Sequence, residues 1–148
     1  MTQAEIFTVD VGHVFRGSLR ELTLARTLAF SGGPLDAPDW PARNLHTDIK
    51  VANDTGLAKV VASGTQFEGY LATHLVRIFG RHWYTNGAWD VRIVRSVKVG
   101  DTVTAVAKLL SRDEDAEAVR VTVEVWCENQ DSENVLTGTA TCVLPRTR

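Results

Sequence analysis

The sequence predicts an α+β domain in which an antiparallel sheet wraps around one long helix. Three observations point to it. Residues 65–79 repeat apolar side chains at helical spacing, residues 119–125 alternate with period two, and short polar segments divide the last third of the chain into successive strands. An early strand and irregular helices, then a long helix, then strands, is an α+β order.

The first element is carried by Ile6, Phe7, Val9, Val11, Val14 and Phe15, which read as a bent strand over residues 6–15. Ser18 stands three residues before Glu21, a capping-box spacing. Apolar residues at i, i+3 and i+4 across 22–30 then predict a short helix, ended by Ser31-Gly32-Gly33-Pro34. Residues 35–44, LDAPDWPARN, hold two prolines, two aspartates and an asparagine, and are expected to form an ordered loop. Residues 46–54 read as a short helix closed by turn formers, with Gly56 beyond.

Phe67, Leu71, Leu75, Ile78 and Phe79 form the stripe of the long helix, and Ala72 and Val76 widen it. Ser63-Gly64-Thr65 is a start signal and Gly80 a stop. A helix this apolar is expected to be largely buried. Beyond it Trp89, Val91 and Ile93 alternate with Asp90, Arg92 and Val94, and Gly100-Asp101 turns the chain into a strand over 102–110. Val119, Val121, Val123 and Val125 form the next strand, and residues 135–144 the last. Four strands with short polar turns predict an antiparallel meander whose apolar face covers the helix. Its edge strands would lie bare in a single chain, so a homodimer or higher homo-oligomer is expected.

The 148 residues suit one domain spanning 1–148, and 44% apolar with 23% charged residues is ordinary for a globular protein. A net charge of −2 with no basic block excludes nucleic acid as the main partner. Arg77, Arg81, Arg92 and Arg95 are either solvated surface or contacts for a small polyanion such as a nucleotide phosphate. No apolar stretch approaches the roughly 20 residues of a membrane helix, so no membrane partner is expected. The start of the chain lacks the basic head and apolar core of a signal peptide. Cys127 and Cys142 lie in alternating apolar segments and read as buried thiols, which fits a reducing cytoplasm. The reading calls for no cofactor and no metal ion.

Of the four histidines, His46 stands in Arg43-Asn44-Leu45-His46-Thr47-Asp48, a polar loop made either of turn formers or of a site displayed by the scaffold. His74, inside the long helix, is expected to be a hydrogen-bonded core residue, and His13 and His82 to be surface or structural. At the start of the helix the N–H groups of Gly64, Thr65 and Gln66 have no helical acceptors, and with the helix dipole they favour an oxyanion. Ser63 reads as an ordinary N-cap. Glu68 is a carboxylate one turn into an apolar helix: paired with an arginine, exposed at the rim, or a catalytic base or nucleophile.

The run Asn44-Leu45-His46-Thr47-Asp48, then Gly56-Leu57, then Val61-Ala62-Ser63-Gly64 opening the long helix, resembles the MaoC-like dehydratases and (R)-specific enoyl-CoA hydratases. Residues 97–103, VKVGDTV, strengthen the likeness, which spans residues 20–143. The resemblance implies a hot-dog fold and reversible addition of water at the 2,3-position of an acyl thioester borne by coenzyme A or an acyl carrier. It implies His46 as the active histidine and Gly64 as the donor to the thioester oxygen. Ser63, Thr65 and Glu68 would stand beside the bound substrate. The family pairs its histidine with an aspartate five residues earlier, where this chain has Pro41. Asp39 is the candidate replacement acid, Asn44 a candidate to orient His46 or the water, and Asp48 a structural residue. Two other readings stay open: a hot-dog thioesterase using Glu68, and a non-catalytic acyl-binding subunit completed by a second hot-dog chain. Tyr70, Trp83, Tyr84 and Trp89 are each large enough to limit the acyl length.

Overall fold

A computed structural model describes residues 3–145, and its architecture follows from the strands that bury one face. In β5 (Ala118–Glu128) Val119, Val121, Val123, Val125 and Cys127 are buried while Arg120 and Glu124 are exposed, the period-two pattern the sequence shows. β4 (Thr102–Glu114) and β6 (Asn134–Pro145) flank it antiparallel, each turning a buried row to the same side. The sheet order is β1-β4-β5-β6-β3, where β1 is Val14–Arg16 and β3 is Gly87–Ile93; β2 (Arg20–Glu21) also pairs with β4.

The long helix α3 (Gly64–Phe79) lies on the buried face with Phe67, Leu71, Leu75, Ile78 and Phe79 in the common core. Near its C-terminal end Phe79 stacks on Trp83, ring centroids 6.0 Å apart, and Trp83 tilts against Trp89 at 5.7 Å. Trp83 belongs to the short helix α4 (His82–Asn86), which the sequence reading does not contain. Antiparallel strands around a buried helix make the hot-dog fold that the sequence predicts.

The departures have local causes. The chain turns at Asp10–His13, where Gly12 takes a φ of +93° and donates its N–H to Leu109 O at 2.8 Å. The expected strand over 6–15 therefore shrinks to β1, preceded by a 3-10 turn at Gln3–Phe7. Ser18 caps nothing. Arg20 and Glu21 pair with Val103 and Thr102 instead, because the ladder with β4 outbids a lone capping box. The helix α1 (Leu24–Ser31) starts later, capped by Thr23, whose Oγ1 accepts from Arg26 N at 3.2 Å. β3 does not precede β4 in the sheet: it pairs with β6, and residues 94–101 cross back to β4. Gly138 permits that pairing, since a Cβ there would stand 2.1 Å from the Asp90 carbonyl oxygen.

Both cysteines are buried and free, as expected, and burial pushes the Cys127 thiol up to about 12 and the Cys142 thiol up to about 11. His74 is 3% exposed and donates Nε2–H to Phe15 O at 3.0 Å, so it is the hydrogen-bonded core residue the helix pattern suggested. Burial holds its pKa below the ordinary histidine value, the Phe15 bond opposes this, and the positive charge of Arg77 adds to it. A histidine lowered on folding takes up protons more readily when unfolded. Its contribution to stability is full above about pH 6.5 and is lost as pH falls through the lower folded value. Denaturant unfolding between pH 8 and pH 5 should show stability falling on the acid side, with a shallower fall in His74→Gln. An identical slope in the two proteins would assign the acid sensitivity to other groups.

Candidate active site

The candidate site forms where three loops meet at the N-terminal end of α3. Residues 60–62 enter the helix as a short extended segment tied to the crossover. Ala62 N donates to Val97 O at 2.8 Å, Val99 N donates to Val60 O at 2.9 Å, and Val61 stands opposite Lys98. In such an antiparallel pair the middle residue keeps its own N–H and C=O turned away from the partner. The carbonyl of Val61 accepts from His46 Nδ1 at 2.9 Å. A carbonyl only accepts, so Nδ1 carries the proton and Nε2 of the neutral ring keeps its lone pair.

The loop that carries His46 is locked by Asn44. Its Oδ1 accepts from His46 N at 2.8 Å, an Asx turn, and its Nδ2 donates to Ser31 O at 2.9 Å and Ala42 O at 3.3 Å. Thr47 Oγ1 donates to Ala42 O at 2.7 Å and accepts from Asn44 N at 2.9 Å. Asp48 faces the other way. It caps α2 (Ile49–Asp54) through Lys50 N and Val51 N and takes a 2.7 Å hydrogen bond from Arg43 Nε. That bond, with the backbone donors, holds its carboxyl below the usual range. Its role is structural, as the sequence suggests.

At the start of the helix Ser63 precedes α3 without a side-chain cap; its Oγ pairs with Thr65 Oγ1 at 2.9 Å. Among the described residues, no backbone acceptor meets the N–H of Gly64 or Thr65. Those donors are the ones a helix N-terminus offers to negative charge. Gly64 is the tightest point of the site: a Cβ there would stand 2.1 Å from Ile93 Cδ1, the end of a side chain that is 47% exposed. Glu68 is half-buried on α3, with no ion pair among the described residues, so its arginine-paired reading finds no partner.

The structure thus brings His46, Asn44, Ser63, Gly64 and Thr65 to one end of the helix. It does not bring Asp39 in. Asp39 is exposed in a turn closed by Trp40 N on Ala37 O at 3.0 Å, and no hydrogen bond joins it to His46 or Asn44. Of the four bulky aromatics, Trp83 is packed in the core, Trp89 sits against it, and Tyr84 is 76% exposed, leaving Tyr70 beside an open pocket. Two contributors escaped the sequence reading. Val61 acts through its backbone and has no side-chain signature, and Ile93 reads as an ordinary strand residue. No helix among the described residues is long and apolar enough to cross a membrane.

No protein-family model matches the sequence, and no curated protein matches it. Solved structures do. The MaoC-like dehydratase from Rhodospirillum rubrum superposes with a TM-score of 0.75 at 20% identity, covering 97% of each chain. The (R)-hydratase PhaJ1 from Pseudomonas aeruginosa gives 0.73 at 19% identity, covering 99% of this chain and 86% of its own. The HadBC (3R)-hydroxyacyl-ACP dehydratase complex from Mycobacterium tuberculosis gives 0.62 at 26% identity, covering 92% and 98%. The chain shares their fold over nearly its whole length.

Removing Asn44 tests whether the loop is held as described. Asn44→Ala deletes the acceptor of His46 N and both donors to the neighbouring carbonyls. About 1–3 kcal/mol of stability should be lost, as for a partly buried polar group whose partners are left unmet. The imidazole Nδ1–H signal in NMR should broaden as the loop loosens. A sharp, unshifted signal would show that Val61 alone fixes the ring.

Proposed function

We propose that the chain is a MaoC-like hydratase or dehydratase, adding or removing water at the 2,3-position of an acyl thioester on coenzyme A or a carrier protein. The observation that carries this reading is the 2.9 Å bond from His46 Nδ1 to Val61 O, three residues before Gly64. It leaves a basic nitrogen beside a helix start with free donors. In hydration, Nε2 takes a proton from water as the oxygen bonds to C3. The C2–C3 π electrons shift toward the thioester oxygen, which gathers charge at the N–H of Gly64. The imidazolium then returns its proton to C2, and dehydration runs the same steps in reverse. Preorganised donors of this kind contribute on the order of 10²–10³ in rate, and a positioned acid–base about 10²–10⁴. Thr65 and Ser63 flank the oxyanion position. Proton transfer rests on His46, oriented by Asn44, with Asp39 outside the arrangement.

The free edge of β3 supports a homodimer. Among the described residues this strand pairs only with β6, and its last residue, Ile93, lies beside Gly64. The site would then lie next to the shared edge. A second reading, a subunit completed by a different hot-dog chain, is favoured by one feature: Pro41 stands where the family has its aspartate.

Mass spectrometry of 2-enoyl and 3-hydroxyacyl thioesters should show a change of one water, lost by at least 10²-fold in His46→Ala with the fold intact. Unchanged rates in that variant would sink the role of His46. Release of free thiol that disappears in Glu68→Gln would point to thioester hydrolysis instead. Light scattering of the purified chain separates a homodimer from a lone subunit awaiting its partner.

A further inference from the structure

We propose that the pocket between α1 and α3 selects acyl groups ending in a carboxylate, so that the preferred substrates are monothioesters of dicarboxylic acids. This rests on the acyl-thioester reading above and concerns the acyl half of the same site.

The pocket holds about 480 Å³, and Phe30, Gly69 and Tyr70 form part of its wall. It adjoins the chemistry on both sides. Phe30 precedes Ser31, whose carbonyl accepts from the Asn44 side chain that fixes His46. Gln66, on the opposite wall, lies two residues beyond Gly64 on α3. The pocket is therefore the neighbouring space in which an acyl chain would be held.

Its polar groups suit an anion. Gln66 is 4% exposed, its Nε2 donates to Tyr70 Oη at 3.2 Å, and its Oε1 has no partner. A buried polar atom without a partner is costly, and a plain alkyl group would leave it so. The two ends of the amide have the same shape. Turned over, Oε1 accepts from the Tyr70 hydroxyl and Nε2 donates to a ligand carboxylate. Arg20 and Arg26 also line the pocket, and no ion pair joins either to a carboxylate among the described residues. Arg26 is steadied by a 2.5 Å bond from its Nη1 to Glu21 O, and its side chain makes no other hydrogen bond among the described residues. Guanidinium and carboxylate match in planar geometry, and a charge-assisted pair here would have Phe30 beside it to carry the methylenes. A phosphate of the carrier is the other anion the arginines would accept, and the experiment separates the two.

Hexanoyl-CoA and hexanedioyl-CoA share chain length and carrier, and neither has a double bond or a hydroxyl to react. Calorimetry should show the wild type binding hexanedioyl-CoA about 10–100-fold more tightly. In Arg20→Gln/Arg26→Gln that ratio should collapse toward one, and Gln66→Leu should reduce it in part. Equal affinity in the wild type, or no binding of either thioester, overturns the proposal. So does an equal loss for both thioesters in the arginine variant, the outcome if the arginines hold carrier phosphate. Because the probes do not react, selective binding without turnover of the 2-enoyl pair would fail the hydratase reading and leave the pocket assignment standing.

Discussion

The short backbone ladder between residues 60–62 and 97–99 is the constraint on which the site depends. It anchors the entry to the central helix against the crossover that leads from β3 to β4. Three things are fixed at once: where α3 begins, which way the Val61 carbonyl faces, and how close Ile93 comes to Gly64. None of them needs a charged residue. Main-chain hydrogen bonds between packed segments hold the geometry, and the His46 ring is hung on it.

The core explains why this frame is rigid. α3 lies against the buried rows of β4, β5 and β6, and its buried polar residues are the ones whose roles are specific. His74 spends its proton on the Phe15 carbonyl and thereby pins the first strand to the helix. Gln66 has one end committed to Tyr70 and one end without a partner, a state that Ser31 Oγ and Trp40 Nε1 share among the described residues. The loop carrying His46 is less deeply packed and relies on Asn44 and Thr47 to bind it to Ser31 and Ala42.

Much of the fold was legible because periodicity survives wherever one face is buried. The valines of β5 and the stripe of α3 each serve a single interior, so sequence spacing and burial agree. The first thirty residues were harder to read. There two strands of three and two residues depend on partners eighty or more positions away, and a capping-box spacing at Ser18 pointed to a helix that begins only after Thr23. The place of β3 beside β6 was hidden because alternation reveals a strand and not its neighbour. In the candidate site, His46 and Gly64 were singled out from their company in the sequence, and Asn44 from its proximity. The acceptor for His46 was invisible, since every residue carries a carbonyl and no residue type announces one in use. Asp39 looked available by spacing, but the turn at Ala37–Trp40 leaves it facing solvent.

The contact between Ile93 and Gly64 ties two positions that lie 29 residues apart. A side chain at position 64 would trespass on the Ile93 methyl, the free end of a 47% exposed chain that can swing aside. The width of the helix entrance thus follows the rotamer of one strand side chain.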